Sequence, residues 1–225
     1  KNIIHLILNT TQTILENAKQ SILSQSESIQ KLTNYLTEDF AKTVQLIFES
    51  KGRLVVTGIG KSAIIAQKIV ATLNSTGTPS IFLHAAEAIH GDLGMIQSGD
   101  LVLCISKSGN SPEIKVLAPI IKNFGTTLIG MTANPTSFLA TSSDLILHAH
   151  VDAECCPLGL APTNSTTAQL VLGDAIAVCL MKLRNFQAED FAKYHPGGAL
   201  GKKLLLRVKD MLDNTHAPQV APNAS

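Results

Sequence analysis

The sequence predicts an α/β fold, a three-layer α/β/α sandwich around a five-stranded parallel sheet. Five short segments are continuously apolar rather than alternating, which is typical of strands buried on both faces of a sheet. Stretches with helical periodicity lie between most of them, and helical crossovers imply parallel pairing. Together these observations indicate a doubly wound, flavodoxin- or Rossmann-like sheet, which binds ligands beyond the carboxyl ends of its strands.

The elements follow in order along the chain. Residues 3–50 carry apolar side chains at spacings of three and four, and they predict two helices, the second of which Gly52 ends. After Gly52, short apolar runs alternate with helical stretches. The predicted strands are residues 54–59, 81–84, 101–106, 127–132 and 145–151, and the predicted helices between them cover 62–73, 111–123, 136–141 and 165–184.

The length of 225 residues favours one large domain. We expect residues 1–50 to form helices that pack on this domain and on an oligomer. Residues 51–212 are expected to form the domain itself. Residues 213–225 have little to bury, and we expect them to form a disordered tail.

The composition argues against several classes of function. A net charge of +1 without a basic run argues against a nucleic-acid partner. No segment approaches the ~18 consecutive apolar residues of a membrane span, and Asn9, Thr10 and Thr11 interrupt the first apolar run too early for a signal peptide. The low charged fraction of 16% indicates that part of the surface is buried in an oligomer. The cysteines form no CxxC pair and indicate a reduced, cytoplasmic protein: Cys104, Cys155, Cys156 and Cys179.

The motif TGIGKSA, residues 57–63, joins the first predicted strand to a helix. It fails as a Walker A loop because Val55 stands where that loop needs a glycine. Its glycines and alanine fit a dinucleotide fingerprint, but the next strand, residues 81–84, ends without the acid that would bind a ribose. We therefore expect no nicotinamide cofactor. The turn suits a phosphate or an oxyanion, and a plain turn with a surface lysine is equally compatible with it.

Hydroxyl groups crowd the loop after the third predicted strand, SKSGNSPE at residues 106–113. A helix N-cap explains Ser111 and the proline after it, but it leaves Ser106 and Ser108 unexplained. Hydroxyls and backbone N–H groups at a helix N-terminus bind a dianionic phosphate. The loop therefore predicts a phosphate site, with Glu113 placed to act on the bound molecule.

Three further segments supply acid–base candidates. AEAIHGDLG, residues 86–94, contains His90 between two strands, and no second pair of ligands matches a zinc spacing, so we predict no metal site. Glu154 heads a polar stretch after the last predicted strand, residues 152–169. His195 precedes two glycines in YHPGGALGKK. An irregular loop without function remains the alternative for each of the last two segments.

As a set, these motifs resemble those of the sugar isomerase (SIS) superfamily, and within it the D-arabinose 5-phosphate isomerases. The resemblance runs from about residue 40 to residue 212. The signatures that carry it are TGIGKSA, STGTPSIFLHAAEAIHGDLGM, ISKSGNSPE, CPLGLAPTNSTTA and HPGGALGKKLLLRV. It implies the five-stranded parallel sheet between helices, and homotetramers whose active sites are completed by neighbouring subunits.

The resemblance also implies an activity. The implied reaction is the reversible conversion of D-ribulose 5-phosphate to D-arabinose 5-phosphate through an enediol, without a metal or organic cofactor. This is the first step toward 3-deoxy-D-manno-octulosonate, a sugar acid of bacterial lipopolysaccharide and capsule. The implied catalytic residues are Lys61, His90, Glu113, Glu154 and His195, and the implied phosphate-binding serines are Ser62, Ser106, Ser108 and Ser111. We expect further substrate contacts from Gly60, Thr163 and Ser165.

The reaction needs a base that moves one proton between the first two sugar carbons, and acids or cations that stabilise the enediolate. We hypothesise that Glu113 is this base, with Glu154 as its rival, that Lys61 stabilises the enediolate, and that His90 and His195 move the other protons. Two further functions stay open: a non-catalytic sugar-phosphate sensor, and an isomerase of another phosphosugar.

Two departures from the family pattern bear on regulation and on the site. Asn110 and Pro112 replace the commoner glutamate and serine of the serine-rich loop. Many relatives continue into a tandem pair of CBS domains, and since the sequence stops at Ser225 we expect no CBS domains here. We hypothesise instead that the end product, a cytidylate-activated sugar acid, inhibits by binding the serine-rich loops.

Overall fold

A computed structural model describes residues 2–205, so residues 206–212 of the predicted domain and the predicted tail at 213–225 lie outside the described residues. The helices are α1 Asn2–Leu32, α2 Glu38–Glu49, α3 Lys61–Ser75, α4 Ala85–Ala88, α5 Pro112–Asn123, α6 Phe138–Ser142, α7 Asn164–Leu183, α8 Ala188–Tyr194 and α9 Ala199–Leu205. The strands are β1 Leu54–Gly58, β2 Ser80–His84, β3 Leu101–Ile105, β4 Thr127–Thr132 and β5 Leu145–His148. Short 3₁₀ turns cover Thr33–Tyr35 and Asp92–Met95.

The five strands form one sheet in the order β2-β1-β3-β4-β5, and every neighbouring pair is parallel. The predicted five-stranded parallel sheet is therefore confirmed. In the register of the sheet, Gly58 at the end of β1 lies opposite His84 of β2 and Ile105 of β3. The carboxyl ends of these three strands consequently meet at one edge, which we call the carboxyl edge.

Both faces of the sheet are buried because side chains alternate along each strand. On one face, Val56, Leu103 and Ile129 join a core with side chains of α1, α2, α3 and α7. On the other face, Val55 and Val102 join a second core with side chains of α4, α5 and α6. The layers are thus helix, sheet and helix, as the apolar strands predict.

Helix α7 is the one helix in the described part of the chain that is long and apolar enough to cross a membrane, with a hydropathy of 1.4. It packs as a core helix instead. Its residues Leu172, Ile176 and Leu180 are buried in the core shared with the sheet. Asp174 on the same helix accepts a hydrogen bond of 2.6 Å from Lys68 of α3. These contacts are those of a core helix that packs against the sheet and α3.

Most predicted elements are confirmed with small shifts of their ends. Strand β5 is shorter than predicted because the chain leaves the sheet after Ala149, whose N–H donates to Thr132 of β4. His150 then stacks on Tyr35 of the 3₁₀ turn, with ring centroids 4.5 Å apart. Helices α4, α8 and α9 were not predicted, because helices of 4, 7 and 7 residues are too short to show a periodic pattern.

An ion pair ties β1 to β3 at the opposite edge, the amino edge. The Arg53 Nη2 atom lies 2.8 Å from Asp100 Oδ2, and the Asp100 side chain is 2% exposed. Arg53 also donates from its backbone N–H to Oδ1, and Gln97 donates from its backbone N–H to Oδ2. Burial alone would raise the pKa of Asp100, but the hydrogen bonds from Arg53 and Gln97 hold it below its usual range.

Candidate active site

The carboxyl edge has a topological switch point between β1 and β3. The chain runs from β1 to β2 on one side and then crosses back to β3 on the other side of β1. At such a point the loops after the two central strands diverge and leave a crevice, which is where doubly wound sheets bind ligands. The loop after Gly58 and the loop after Ile105 therefore stand next to each other, as their paired registers show.

The first loop is a tight turn from β1 into α3. Gly60 adopts φ 57° and ψ −130°, a conformation that only glycine takes up readily. Lys61, exposed, begins α3, and the half-buried Ser62 follows it. The Ser62 hydroxyl donates a hydrogen bond of 3.2 Å to the buried Gln169 Oε1 of α7. Helix α7 thus orients this hydroxyl at the mouth of the crevice.

The second loop carries the three serines predicted to bind phosphate. Ser106 is buried and its hydroxyl accepts the N–H of Gly109 at 3.1 Å, while the Ser108 hydroxyl accepts the N–H of Asn110 at 3.3 Å. Ser111 differs, because its buried hydroxyl has no partner among the described residues. A buried hydroxyl without a partner costs ~1–3 kcal/mol, so this one is suited to bind a ligand oxygen.

Helix α6 holds the second loop in place. Gly109 has φ +64°, and a Cβ atom there would lie 2.1 Å from the Ser137 hydroxyl oxygen. The carbonyl of Gly109 accepts the N–H of Leu139 at 2.9 Å. Asn110 Oδ1 accepts the N–H of Phe138 at 3.0 Å. These contacts constrain the conformation of the loop, which favours binding because less conformational entropy is lost.

Glu113 lies in the first turn of α5, two residues after Ser111. Its side chain is half-buried, and it makes no hydrogen bond or ion pair with the residues that the structure describes. A carboxylate beside the serine-rich loop, with no partner among the described residues, is available to accept a proton from a bound molecule.

Glu154, the other candidate carboxylate, is in a different state. Its side chain is 1% exposed, and Oε1 lies 2.5 Å from the Nζ atom of Lys107. Oε2 accepts the backbone N–H groups of Thr163 at 2.7 Å and Ser165 at 3.2 Å. Burial alone would raise the pKa of Glu154, but the hydrogen bonds from Lys107, Ser165 and Thr163 lower it to about 2. Thr163 and Ser165, predicted to contact substrate, are thus in contact with Glu154.

His90 is exposed and follows the short helix α4, where its backbone N–H donates to Glu87. Its loop leaves the sheet at the carboxyl end of β2, beside β1. A second histidine stands at the same strand end: His84 has a buried Nδ1 atom without a partner in the described part of the chain. His84 is not among the predicted site residues, although an imidazole at the end of a parallel strand was a usable signal.

His195 lies apart from the other predicted residues. It ends α8, which packs beside the turn that precedes β2, since a Cβ atom on Gly77 would lie 3.3 Å from Phe186 and 3.6 Å from Tyr194. Arg184 also donates a hydrogen bond to Thr78 in this turn. This turn is at the amino edge of the sheet. One copy of the chain therefore brings Lys61, Ser62, His90, Ser106, Ser108, Ser111, Glu113 and Glu154 to the carboxyl edge, but not His195.

Lys107 and Gln169 also contact site residues and were not predicted. Both contacts join segments far apart in the chain, which no spacing in the sequence reveals. Among residues 2–205, no three His, Cys, Asp or Glu side chains cluster closely enough to hold a metal ion. A cavity of about 520 Å³ at the amino edge, between residues 93–101 and 124–127, is lined by none of the predicted site residues.

Comparison with known proteins identifies the family to which the chain belongs. The SIS domain family model matches residues 46–179. The chain is 50% identical over 207 residues to the arabinose 5-phosphate isomerase KdsD of Pseudomonas aeruginosa, covering 91% of this chain and 64% of that protein. It is 51% identical over 208 residues to KdsD of Yersinia pestis, covering 92% of this chain and 63% of that protein. The chain thus spans a little under two thirds of the length of these curated relatives.

A solved structure shows the same architecture. The structure of an Escherichia coli CFT073 protein in complex with arabinose 5-phosphate superimposes with a TM-score of 0.79 at 40% sequence identity. The match covers 82% of this chain and 98% of the E. coli chain.

Proposed function

Because the chain belongs to the SIS domain family, we propose that it is an aldose–ketose isomerase that interconverts D-ribulose 5-phosphate and D-arabinose 5-phosphate. The observation that carries the proposal is the meeting of two features at the switch point. A serine-rich loop with a buried hydroxyl, Ser111, is followed within one helical turn by a carboxylate, Glu113, and neither group has a partner among residues 2–205. The similarity to two arabinose 5-phosphate isomerases, and to a structure in complex with arabinose 5-phosphate, supports the choice of substrate.

The phosphate of the substrate would bind to the serine-rich loop. Ser106, Ser108 and Ser111 lie between the end of β3 and the first turn of α5, and Ser62 lies in the first turn of α3, after the neighbouring strand β1. The N-terminus of α5 adds backbone N–H groups and the positive end of the helix dipole. A phosphate held there fixes the position of the sugar, so that its binding energy contributes to lowering the barrier at the distant carbons.

Glu113 would then move the proton between the first two carbons of the open-chain sugar. The carboxylate takes the proton from one carbon and returns it to the next, and the enediolate between these steps carries negative charge on oxygen. Lys61 would stabilise that charge from the first turn of α3. His90 and His195 would open the sugar ring and exchange the hydroxyl protons. Every step is acid–base chemistry of these side chains.

The proposal includes an assembly, because a single copy leaves His195 at the amino edge. We propose that His195 of a second copy completes each site and that the oligomer is a homotetramer. Exposed apolar side chains on α1 support such an interface: Ile14, Leu15, Ile22 and Leu23 are 60%, 65%, 67% and 45% exposed. Leu158 and Leu160, which are 77% and 78% exposed, add apolar surface in the loop after β5.

The proposed place of the enzyme is the bacterial cytoplasm, at the first step toward 3-deoxy-D-manno-octulosonate. The end product, a cytidylate-activated sugar acid, carries anionic groups that suit the serine-rich loop, and we propose that it inhibits. An assay with the end product at millimolar concentration would contradict this part of the proposal if turnover did not change.

Proton NMR of the purified protein with D-arabinose 5-phosphate in deuterated water tests the main proposal. The expected result is formation of D-ribulose 5-phosphate, with deuterium at the carbon that gives up its proton. Binding without turnover, in an assembled oligomer, would contradict the enzyme and support a sugar-phosphate sensor. Turnover of a different phosphosugar in preference to this one would correct the substrate alone.

A further inference from the structure

The ion pair between Lys107 and Glu154 joins two loops at the carboxyl edge of the sheet. Lys107 belongs to the serine-rich loop after β3, and Glu154 to the loop between β5 and α7, 47 residues further along the chain. The Lys107 backbone is fixed, since its carbonyl accepts the N–H of Ala133 at 3.1 Å and the hydroxyl of Thr132 at 3.1 Å. The side chain therefore reaches Glu154 from a backbone position that hydrogen bonds constrain.

The surroundings of Glu154 favour its ionised form. One carboxylate oxygen contacts the Lys107 ammonium at 2.5 Å, and the other accepts two backbone N–H groups and the Thr163 hydroxyl. Ammonium and amide groups are donors only, so they stabilise the carboxylate form, which accepts every one of these bonds. Among the described residues, Lys107 is the one charged side chain that forms an ion pair with Glu154.

This arrangement indicates different roles for the two carboxylates of the site, Glu154 and Glu113. Glu154 has donors on both oxygens, whereas Glu113 has no partner among the described residues. A group that must accept and return a proton needs a protonated form that its surroundings tolerate. The donors on both oxygens of Glu154 oppose its protonated form, which leaves Glu113 as the candidate base.

We propose that Lys107 is a positioning residue of the isomerisation, which holds Glu154 as a permanent carboxylate and thereby leaves the proton transfer to Glu113. The proposal rests on the proposed isomerase function. The negative charge of Glu154 in turn fixes the start of α7 through Thr163 and Ser165, and α7 orients Ser62 through Gln169. Lys107 thus connects the charge on Glu154 to the geometry of the first loop.

The pKa of Glu154 agrees with this role. The bonds from Lys107, Ser165 and Thr163 outweigh the effect of burial and place the pKa of Glu154 at about 2. Without the Lys107 ammonium, burial would act on the carboxyl group with fewer bonds against it, and the pKa would rise. Glu154 would then take up a proton within the pH range in which the enzyme is assayed.

The test compares K107M, which keeps the length of the side chain and removes its charge, with K107R, which keeps the charge. Carbon-13 NMR of the glutamate carboxyl groups, with E154Q to assign the signal, follows Glu154 in the protein without substrate. We expect no titration of Glu154 above about pH 4 in the wild type and in K107R, and titration between about pH 4 and pH 7 in K107M.

Kinetics supply the second readout. We expect kcat of K107M at pH 6 to fall by about tenfold or more, with the loss growing as the pH falls, and kcat of K107R to stay within about threefold of the wild type. K107M should add little to E154Q in the double variant, because its effect passes through Glu154. K107Q replaces K107M if the latter does not fold.

An ionised Glu154 in K107M at pH 4, or an equal loss of kcat in K107R and K107M, would overturn the proposal. A wild-type protein that binds but does not isomerise D-arabinose 5-phosphate would overturn the isomerase function instead. In that case the NMR titration, which needs no turnover, would still decide whether Lys107 controls the ionisation of Glu154.

Discussion

The imidazole ring of His195 lies flat against the ring of Phe191, with ring centroids 3.8 Å apart and an angle of 12° between the planes. The His195 Nδ1 atom is 2.9 Å from the Phe191 carbonyl oxygen, and since a carbonyl only accepts, Nδ1 carries the proton. In the neutral ring Nε2 is then the free base. Helix α8 therefore presents a histidine with a defined tautomer and a restricted orientation.

Replacing Phe191 should allow the His195 ring to adopt more orientations. For F191A we expect kcat to fall by about three- to tenfold with little change in KM, because an aromatic stack of this kind is worth about 0.5–1.5 kcal/mol. F191Y keeps the stack and should restore kcat. F124A serves as the control, since Phe124 is 54% exposed at the far end of α5. If F191A changed KM alone and left kcat unchanged, this result would contradict the role of Phe191 in orienting His195 for catalysis.

Glu113 should be indispensable for proton transfer. We expect E113Q to lose about 10²–10⁴-fold in kcat, because glutamine cannot accept the proton, and to bind the substrate nearly unchanged. Isotope exchange into the sugar in deuterated water should fall in parallel. The matched control is E38Q, since Glu38 also lies in the first turn of a helix, α2, and its side chain is 89% exposed. Near wild-type turnover by E113Q would make Glu154 the base.

Ser111 should have opposite effects on stability and on binding. The S111A variant removes a buried hydroxyl that lacks a partner among the described residues, so we expect the free energy of unfolding to stay constant or to rise by up to about 1 kcal/mol. The same change should raise KM for D-arabinose 5-phosphate by about tenfold, because a charge-assisted hydrogen bond is lost. Urea denaturation and steady-state kinetics measure the two effects.

The control for S111A is S75A. Ser75 donates to the Thr72 carbonyl at the end of α3, away from the site, and its replacement should leave KM unchanged. If S111A destabilised the fold and left KM unchanged, Ser111 would be a structural residue.

Mixed assemblies test whether His195 acts at the site of a neighbouring copy. E113Q and H195A should each be inactive alone, and after refolding together they should regain about a quarter of wild-type activity, since one random site in four combines an intact Glu113 with an intact His195. A mixture of E113Q with the E113Q/H195A double variant contains no intact site and is the control. If mixed oligomers formed and no activity returned, Glu113 and His195 of each site would have to come from the same copy of the chain.

The Arg53–Asp100 pair should make the stability of the fold depend on pH. The folded pKa of Asp100 is below its usual value of 3.8, so its contribution is fully present above that value and is lost as the pH falls through the lower, folded value. At pH 7 we expect D100N to lower the free energy of unfolding by about 2–3 kcal/mol, since it leaves Arg53 without its buried partner.

The difference in stability between D100N and the wild type should shrink as the pH falls below about 4. K42M, which breaks the exposed pair of Lys42 with Glu38, should have no measurable effect at any pH. A D100N effect that is constant from pH 7 to pH 3 would show that the lost hydrogen-bond acceptor rather than the charge matters at position 100.

The fold was predictable because the sequence patterns that indicate each element lie within short segments of the chain. The continuous apolar runs around Val55, Val102 and Leu128 indicate strands buried on both faces, and the structure confirms them. The serine-rich loop was equally visible, since four small residues in six exceed what a helix cap requires. What the sequence hides are contacts between distant segments, of which Lys107–Glu154 and Ser62–Gln169 are examples.

His195 illustrates a second limit of predicting the site from the sequence. Its position in the motif HPGGALGKK associates it with the site residues, but α7 carries the chain from the carboxyl edge back to the amino edge before His195 is reached. A sequence motif records that residues act together, without recording whether one copy of the chain can bring them together.

The backbone conformation and the close packing of Gly109 restrict which residues this position can hold. Its φ of +64° disfavours other residues, and the space that a Cβ would need is already filled by Ser137. Gly94, in the 3₁₀ turn after α4, has neither constraint, since nothing lies within 4 Å of an added Cβ. In a library with every amino acid at both positions, selection for activity should retain glycine alone at 109 and a broad mixture at 94. Homologues that share the serine-rich loop would therefore differ around a glycine that stays the same, and a variant designed to bind another ligand would have to keep that glycine.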